Sequence, residues 1–191
     1  MSSTTQTAHD PSALATWANA VTVARMLLAP ALFVLIDGKK GSWPALLMWF
    51  ALCSTDFIDG WLARRQGTTR SGAFLDPLAD KVLVLGAMFT LVHEGVFWIV
   101  PVAVIAAREF MISLYRSVVG TQGVSVPASR LAKAKTVAQQ FAVAFALLPL
   151  TARRAMWTWQ SLLWVAVVLT VWTGWQYLRN ARDTMSAQLN R

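Results

Sequence analysis

DFIDGWLARRQGTTRSGAFLDPLADK, residues Asp56 to Lys81, sets two pairs of aspartates inside apolar sequence. Asp56 and Asp59 are spaced i,i+3, and Asp76 and Asp80 i,i+4, so on helices each pair shares a face. Four carboxylates beside a bilayer are costly unless positive charge neutralises them. Within its own helix, neither Asp76 nor Asp80 has a basic residue one turn away. A divalent metal site is the first hypothesis, and it points to chemistry on a phosphate.

The bilayer itself is inferred from what surrounds this stretch. The chain has 191 residues, 56% of them hydrophobic and only nine acidic. Long apolar runs dominate, each near the ~20 residues that a membrane helix needs. The net charge of +8 could suggest nucleic acid. That partner is rejected, because the basic residues lie in short segments between apolar spans, where anionic lipid head groups account for them. Cys53 is the single cysteine, which excludes an intramolecular disulfide and a cysteine-rich metal site. The first ten residues carry no signal-peptide pattern, and the chain closes without a prenylation or retention signal.

The expected architecture is all-α, a polytopic membrane protein with six transmembrane helices. The spans are expected near Asn19 to Ile36, Trp43 to Ala63, Ala73 to Val92, Phe97 to Val118, Ala134 to Leu150, and Trp157 to Tyr177. Residues 1–10 read as a disordered N-terminal arm. Asp10-Pro11-Ser12 reads as the start of a short interfacial helix running to about Trp17. Residues 11–191 then form a single membrane domain. Trp17, Trp43, Trp98, Trp157 and Tyr177 fall near span ends, as interfacial aromatics do. Ten basic residues at span ends or beyond them (Arg64, Arg65, Arg70, Arg116, Arg130, Lys133, Lys135, Arg179, Arg182 and Arg191) lie on one side, against Lys39, Lys40, Arg153 and Arg154 on the other. By that count the first side is cytoplasmic, both termini are cytoplasmic, and both aspartate pairs lie near the cytoplasmic surface.

Several neighbours of the aspartates have candidate roles. Gly60 leaves room for a ligand, and Ala63 serves either a ligand or close helix packing. Arg64 stands where a guanidinium could fork onto a phosphate, or could simply anchor the inner surface. Thr69 either donates to a phosphate or caps the next helix. Asn19, Thr22 and Arg25 share a helical face, suited to substrate contact or to hydrogen bonding between helices. Lys81 is expected to snorkel to head groups. Glu109, about 100° around a helix from Arg108, is expected to be a poor partner for it.

With these residues in view, the stretch closely resembles the signature of the CDP-alcohol phosphotransferase family, D-x2-D-G-x2-A-R-x7-8-G-x3-D-x3-D. Asp56, Asp59, Gly60, Ala63, Arg64, Gly72, Asp76 and Asp80 fill every fixed position. The resemblance implies six membrane helices, two divalent ions (Mg2+ or Mn2+), and transfer of a phosphatidyl-type group from a CDP-linked donor to an alcohol with release of CMP. It implies Asp56, Asp59, Asp76 and Asp80 as metal ligands, with Asp80 also the general base. It places Gly60, Arg64 and Thr69, and also Asn19, around the CDP group. It implies a multi-pass enzyme of the bacterial inner membrane with its site facing the cytoplasm, and a homodimer.

The flanks FLDPLADK (74–81), AREFMIS (107–113) and KAKT (133–136) resemble the bacterial branch that uses sn-glycerol 3-phosphate as acceptor and CDP-diacylglycerol as donor. A phosphorylated acceptor needs cations, and Arg108, Lys133, Lys135 and Arg116 are the candidates. None of the fixed positions of the aspartate signature is a Ser, Cys or His that would suggest a covalent intermediate, so direct displacement is expected. The alternatives are the same chemistry with another acceptor, as in a cardiolipin synthase or an inositol-phosphate or serine phosphatidyltransferase, and, from another class, a proton- or cation-coupled transporter.

Overall fold

Among the described residues there are six long α-helices and one short one: α1 (Trp17–Leu35), α2 (Trp43–Gln66), α3 (Arg70–His93), α4 (Ile99–Thr121), α5 (Arg130–Leu147), α6 (Pro149–Arg154) and α7 (Met156–Leu189), with a 3-10 turn at Gly38–Lys40 between α1 and α2. The computed structural model describes residues 17–66, 70–121 and 130–189; within them, the side chains of 17–19, 39, 56–66, 70–77, 116–121, 130, 132, 178 and 180–189 lie outside the description. The expected N-terminal arm and interfacial helix fall outside the described residues, apart from Trp17 itself. No strand occurs among those residues.

The segments expected as spans are helical and fall on α1, α2, α3, α4, α5 and α7. The fifth ends earlier than expected, at Leu147, and α6 follows as an element the sequence reading lacked. Proline explains the break. Pro149 has no N–H to continue a helix, and it drives Leu148 into an extended conformation (φ −70°, ψ 117°). The Thr151 hydroxyl donates to the carbonyls of Phe145 and Leu148 and closes the corner.

Connections between helices fix which ends lie together. Ser42 caps α2 by accepting from the Ala45 N–H at 3.3 Å, and its own N–H donates to the Leu147 carbonyl at 2.9 Å. Gly41 (φ +69°) lies so close to this corner that a Cβ there would stand 2.8 Å from the Leu147 oxygen and from Pro149 Cα. A Cβ on Gly38 would stand 3.3 Å from the Glu94 carboxylate. The α1–α2, α3–α4 and α5–α7 connections therefore cluster at one end of the bundle. The Gln66, Arg70, Thr121 and Arg130 helix ends belong to the other end, with the start of α1 and the end of α7.

The exterior is largely apolar, and a minority of polar residues is buried inside an apolar core. Leu27, Val34, Leu47, Phe110, Val168, Trp172 and Trp175 are exposed, while Thr22, Arg25, Glu109, Lys135, Gln139, Thr170 and Thr173 are buried. Such a surface suits hydrocarbon, where polar side chains turn inward to find one another. Among the described residues, Met156–Tyr177 of α7 is long and apolar enough to cross a membrane; Ala20–Leu35 and Trp43–Thr55 are shorter apolar stretches. The polar residues carried by the other helices lower their apolar length, and those same residues build the site.

The apolar core runs through Leu32, Trp49, Leu83, Met88, Leu91, Val102, Ile105, Val143 and Leu147. The helix α1 packs against both α2 and α3. Its approach to α3 is close at Gly86, where a Cβ would stand 2.3 Å from the Phe33 ring. Among the described residues the most extensive contact of α3 is with α1. At the opposite side of the bundle, α7 packs along α5 and α4.

Candidate active site

Two groups of polar residues occupy the half of the bundle away from the α5–α6 corner. The first is the acidic signature. Asp56, Asp59, Gly60 and Arg64 lie on α2, and Asp76 and Asp80 on α3. The side chains of Asp56, Asp59, Gly60, Arg64 and Asp76 are outside the description, as are those of Asn19 and Arg116, and Thr69 lies outside the described residues altogether. Asp80 is half-buried beside the fully buried Ala79. Among the described residues no three acidic, histidine or cysteine side chains group into a metal site.

One residue of α1 joins this region. Arg25 is 2% exposed, and its Nε donates to the Thr55 hydroxyl at 3.3 Å. Thr55 immediately precedes Asp56, and its own hydroxyl donates to the Leu52 carbonyl at 2.7 Å. The contact between Arg25 and Thr55 is a hydrogen bond between helices, the structural alternative for the Asn19–Thr22–Arg25 face. It fixes a buried guanidinium one residue before the first aspartate.

The second group lies where α4, α5 and α7 meet. Arg108 of α4 donates from one terminal nitrogen to Glu109 Oε1 at 3.2 Å and from the other to the Thr173 hydroxyl at 3.0 Å. Its guanidinium also lies over the Tyr177 ring, 5.7 Å from the centroid. Lys135 of α5, 3% exposed, donates its Nζ to the same Oε1 of Glu109. The expectation that Glu109 would be a poor partner for Arg108 is corrected. Adjacent Cβ atoms do diverge by about 100°, but an arginine is long enough to fold back onto the carboxylate beside it.

Tyr177 falls at the end of the apolar stretch of α7, as expected, and it also stands on the α7 face that carries Thr170 and Thr173, where its ring lies against Arg108. Gly174 on the same face leaves space for the arginine stem, with a hypothetical Cβ 3.5 Å from Arg108 Cγ.

Lys133 is exposed and does not join this group. Two residues along a helix turn through about 200°, so Lys133 and Lys135 face opposite ways and only Lys135 points inward. The structure thus brings together Arg108 and Lys135 of the expected cationic set. Their junction is not saturated: Arg108 Nε, Gln139 Nε2 and Thr170 Oγ1 are buried without hydrogen-bond partners among the described residues. Gln139 is one turn along α5 from Lys135, and Thr170 one turn along α7 from Thr173.

A bridge links the acidic helix to this junction. Lys81, next to Asp80, donates to the Ser113 hydroxyl of α4. Ser113 in turn donates to the Glu109 carbonyl at 2.6 Å. The expectation that Lys81 snorkels to head groups is therefore corrected; its ammonium is held against α4. Neither Ser113 nor Glu109 was singled out as functional from sequence. The available signal was an acid buried among apolar residues beside an intramembrane arginine.

With this geometry described, the comparison with known proteins is direct. A family model for CDP-alcohol phosphatidyltransferases matches residues 15–172. The chain belongs to the CDP-alcohol phosphatidyltransferase family. It is similar to the CDP-diacylglycerol–glycerol-3-phosphate 3-phosphatidyltransferase of Escherichia coli strain K12, at 40% identity over 179 residues, covering 88% of this chain and 96% of that one. The proteins of the same name from Shigella flexneri serotype 5b and Shigella sonnei match to the same extent.

Proposed function

We propose that this protein transfers the phosphatidyl group of CDP-diacylglycerol to sn-glycerol 3-phosphate, forming phosphatidylglycerophosphate and releasing CMP. The observation that carries this reading is the 40% identity to glycerol-3-phosphate phosphatidyltransferases across 96% of their length. The acceptor's phosphate gives the buried Arg108–Lys135 pair a chemical purpose, because two cations within a bilayer bundle suit a small dianion better than a neutral alcohol.

The donor set on α2 and α3 is all carboxylate oxygen, the hard-ligand type that fits Mg2+ or Mn2+. Asp56, Asp59, Asp76 and Asp80 would hold two such ions, which when bound supply charge neutralisation for the diphosphate and for departing CMP. Gly60, Arg64, Thr69 and Asn19 form the proposed cradle for the CDP portion. Arg108 and Lys135 bind the acceptor's phosphate, with Lys133 and Arg116 as outer cations that attract it from solution. Asp80 takes the proton from the acceptor's primary hydroxyl. That oxygen attacks the phosphorus bearing the diacylglycerol, and the bond from this phosphorus to CMP breaks. One P–O bond forms as another is lost, with no covalent enzyme intermediate.

The six long helices are taken as six crossings, with both chain termini and the site at the cytoplasmic face of the bacterial inner membrane. The excess of basic residues at that end and the apolar exterior support this placement. Residues 11–191 would be one membrane domain preceded by a short arm, working as a homodimer.

The test is purified protein given labelled CDP-diacylglycerol, Mg2+ or Mn2+, and each acceptor in turn. CMP release is expected with glycerol 3-phosphate, lost on chelation and restored by either ion. Release only with phosphatidylglycerol, inositol phosphate or serine would overturn the acceptor, and activity that survives thorough chelation would overturn the metal site.

A further inference from the structure

We propose that Glu109 is a positioning residue of the acceptor site. Its carboxylate would hold Arg108 and Lys135 as a preformed pair, and would supply their counter-charge while the acceptor's phosphate is absent. The proposal rests on the reading of Arg108 and Lys135 given above.

Three observations carry it. First, a single oxygen of Glu109 accepts from both cations, Arg108 on its own helix and Lys135 on α5. One carboxylate therefore sets the separation of two positive groups that reach it from different helices. Second, the three side chains carry a formal net charge of +1, and Arg108 Nε is buried without a hydrogen-bond partner among the described residues. The group is thus incomplete as an electrostatic unit and retains a donor for a further anion. Third, Glu109 is itself anchored, because its carbonyl accepts from Ser113, which accepts from Lys81 beside Asp80. The cation pair is in this way registered to the helix that carries the proposed base.

Packing alone gives a weak account of this arrangement. A buried ion group seldom stabilises a fold more than apolar residues of the same volume would. Rigid partners behind a binding group, by contrast, improve binding by removing the need to order that group when ligand arrives. Glu109 fits the second role. Gln139 Nε2 and Thr170 Oγ1, nearby in register, are further polar atoms without hydrogen-bond partners among the described residues.

Full-length enzyme reconstituted in phospholipid nanodiscs would be assayed as wild type, Glu109→Ala, Glu109→Gln, Arg108→Ala and Lys135→Ala. KM and kcat would be measured separately for glycerol 3-phosphate and CDP-diacylglycerol. Glu109→Ala should raise the acceptor KM roughly tenfold or more, the scale of one lost charge-assisted hydrogen bond. The donor KM should stay within about twofold of wild type. Glu109→Gln keeps the shape and one acceptor oxygen, so it should recover part of the loss. An unchanged acceptor KM in both Glu109 variants, while Arg108→Ala and Lys135→Ala raise it, would overturn the proposal and leave the acceptor site standing. If Arg108→Ala and Lys135→Ala also leave the acceptor KM unchanged, the reading of the site fails and the proposal fails with it. A parallel rise in both KM values with a lowered melting temperature would assign Glu109 to packing and overturn the proposal.

Discussion

The acidic stretch on α2 and α3 and the basic junction of α4, α5 and α7 are opposite in charge and also in construction. The acids lie within one run of 26 residues, from Asp56 to Lys81, crossing a single connection between consecutive helices. The basic junction draws on Arg108, Glu109, Lys135, Thr173 and Tyr177, which span 70 positions and three helices. A local arrangement is specified by spacing on helices. A dispersed one depends on how the helices meet, and so on the packing of α7 along α5 and α4. The two regions are joined by the short relay from Lys81 through Ser113 to the Glu109 backbone.

This contrast can be broken most sharply at Asp80. If the acidic region performs the chemistry and the basic one binds the acceptor, Asp80→Asn should lower kcat by roughly 10²- to 10⁴-fold, the usual reach of a general base. Binding of CDP-diacylglycerol, followed by equilibrium titration, should be largely retained. Loss of donor binding in step with turnover would make Asp80 chiefly a ligand and remove the division of labour.

A smaller effect should separate two lysines on one helix. Lys135→Ala should raise the acceptor KM roughly tenfold or more while sparing the donor KM, because it removes a buried charged donor. Lys133→Ala changes an exposed residue and should move the acceptor KM by no more than about twofold at physiological salt. Equal effects from both would mean that the inward face of α5 does not select the binding cation.

The far end of the bundle supplies the smallest effect on activity. Gly41 combines a positive φ with backbone 2.8 Å from any added Cβ. Gly41→Ala should cost about 1–3 kcal/mol of stability, seen as a lowered melting temperature, with both KM values unchanged. A shift in the acceptor KM would show that the α5–α6 corner is coupled to the site across the bundle.

Much of the fold was legible from apolar run lengths, because crossing hydrocarbon demands about 20 residues of internally bonded backbone. The break before Pro149 was the main departure, although the proline was visible. The preceding apolar run hides it, and a run length by itself does not say on which side of a proline the helix stops. For the site, the aspartates could be named because helical spacing determines which residues share a face. Arg108 and Lys135 could be named as cations. Lys133 could not be separated from Lys135 until the inward face of α5 was known.

The sequence by itself determined the helices, their polar interruptions and the acidic signature, since each follows from residues within a few turns of one another. The tertiary structure decided that Glu109 serves two cations from two helices, that Tyr177 covers Arg108, and that Lys81 reaches Ser113 instead of the head groups. Those contacts cross between helices far apart in the chain. They are fixed by the rotation and depth of whole helices against one another, which periodicity within a single segment leaves undetermined.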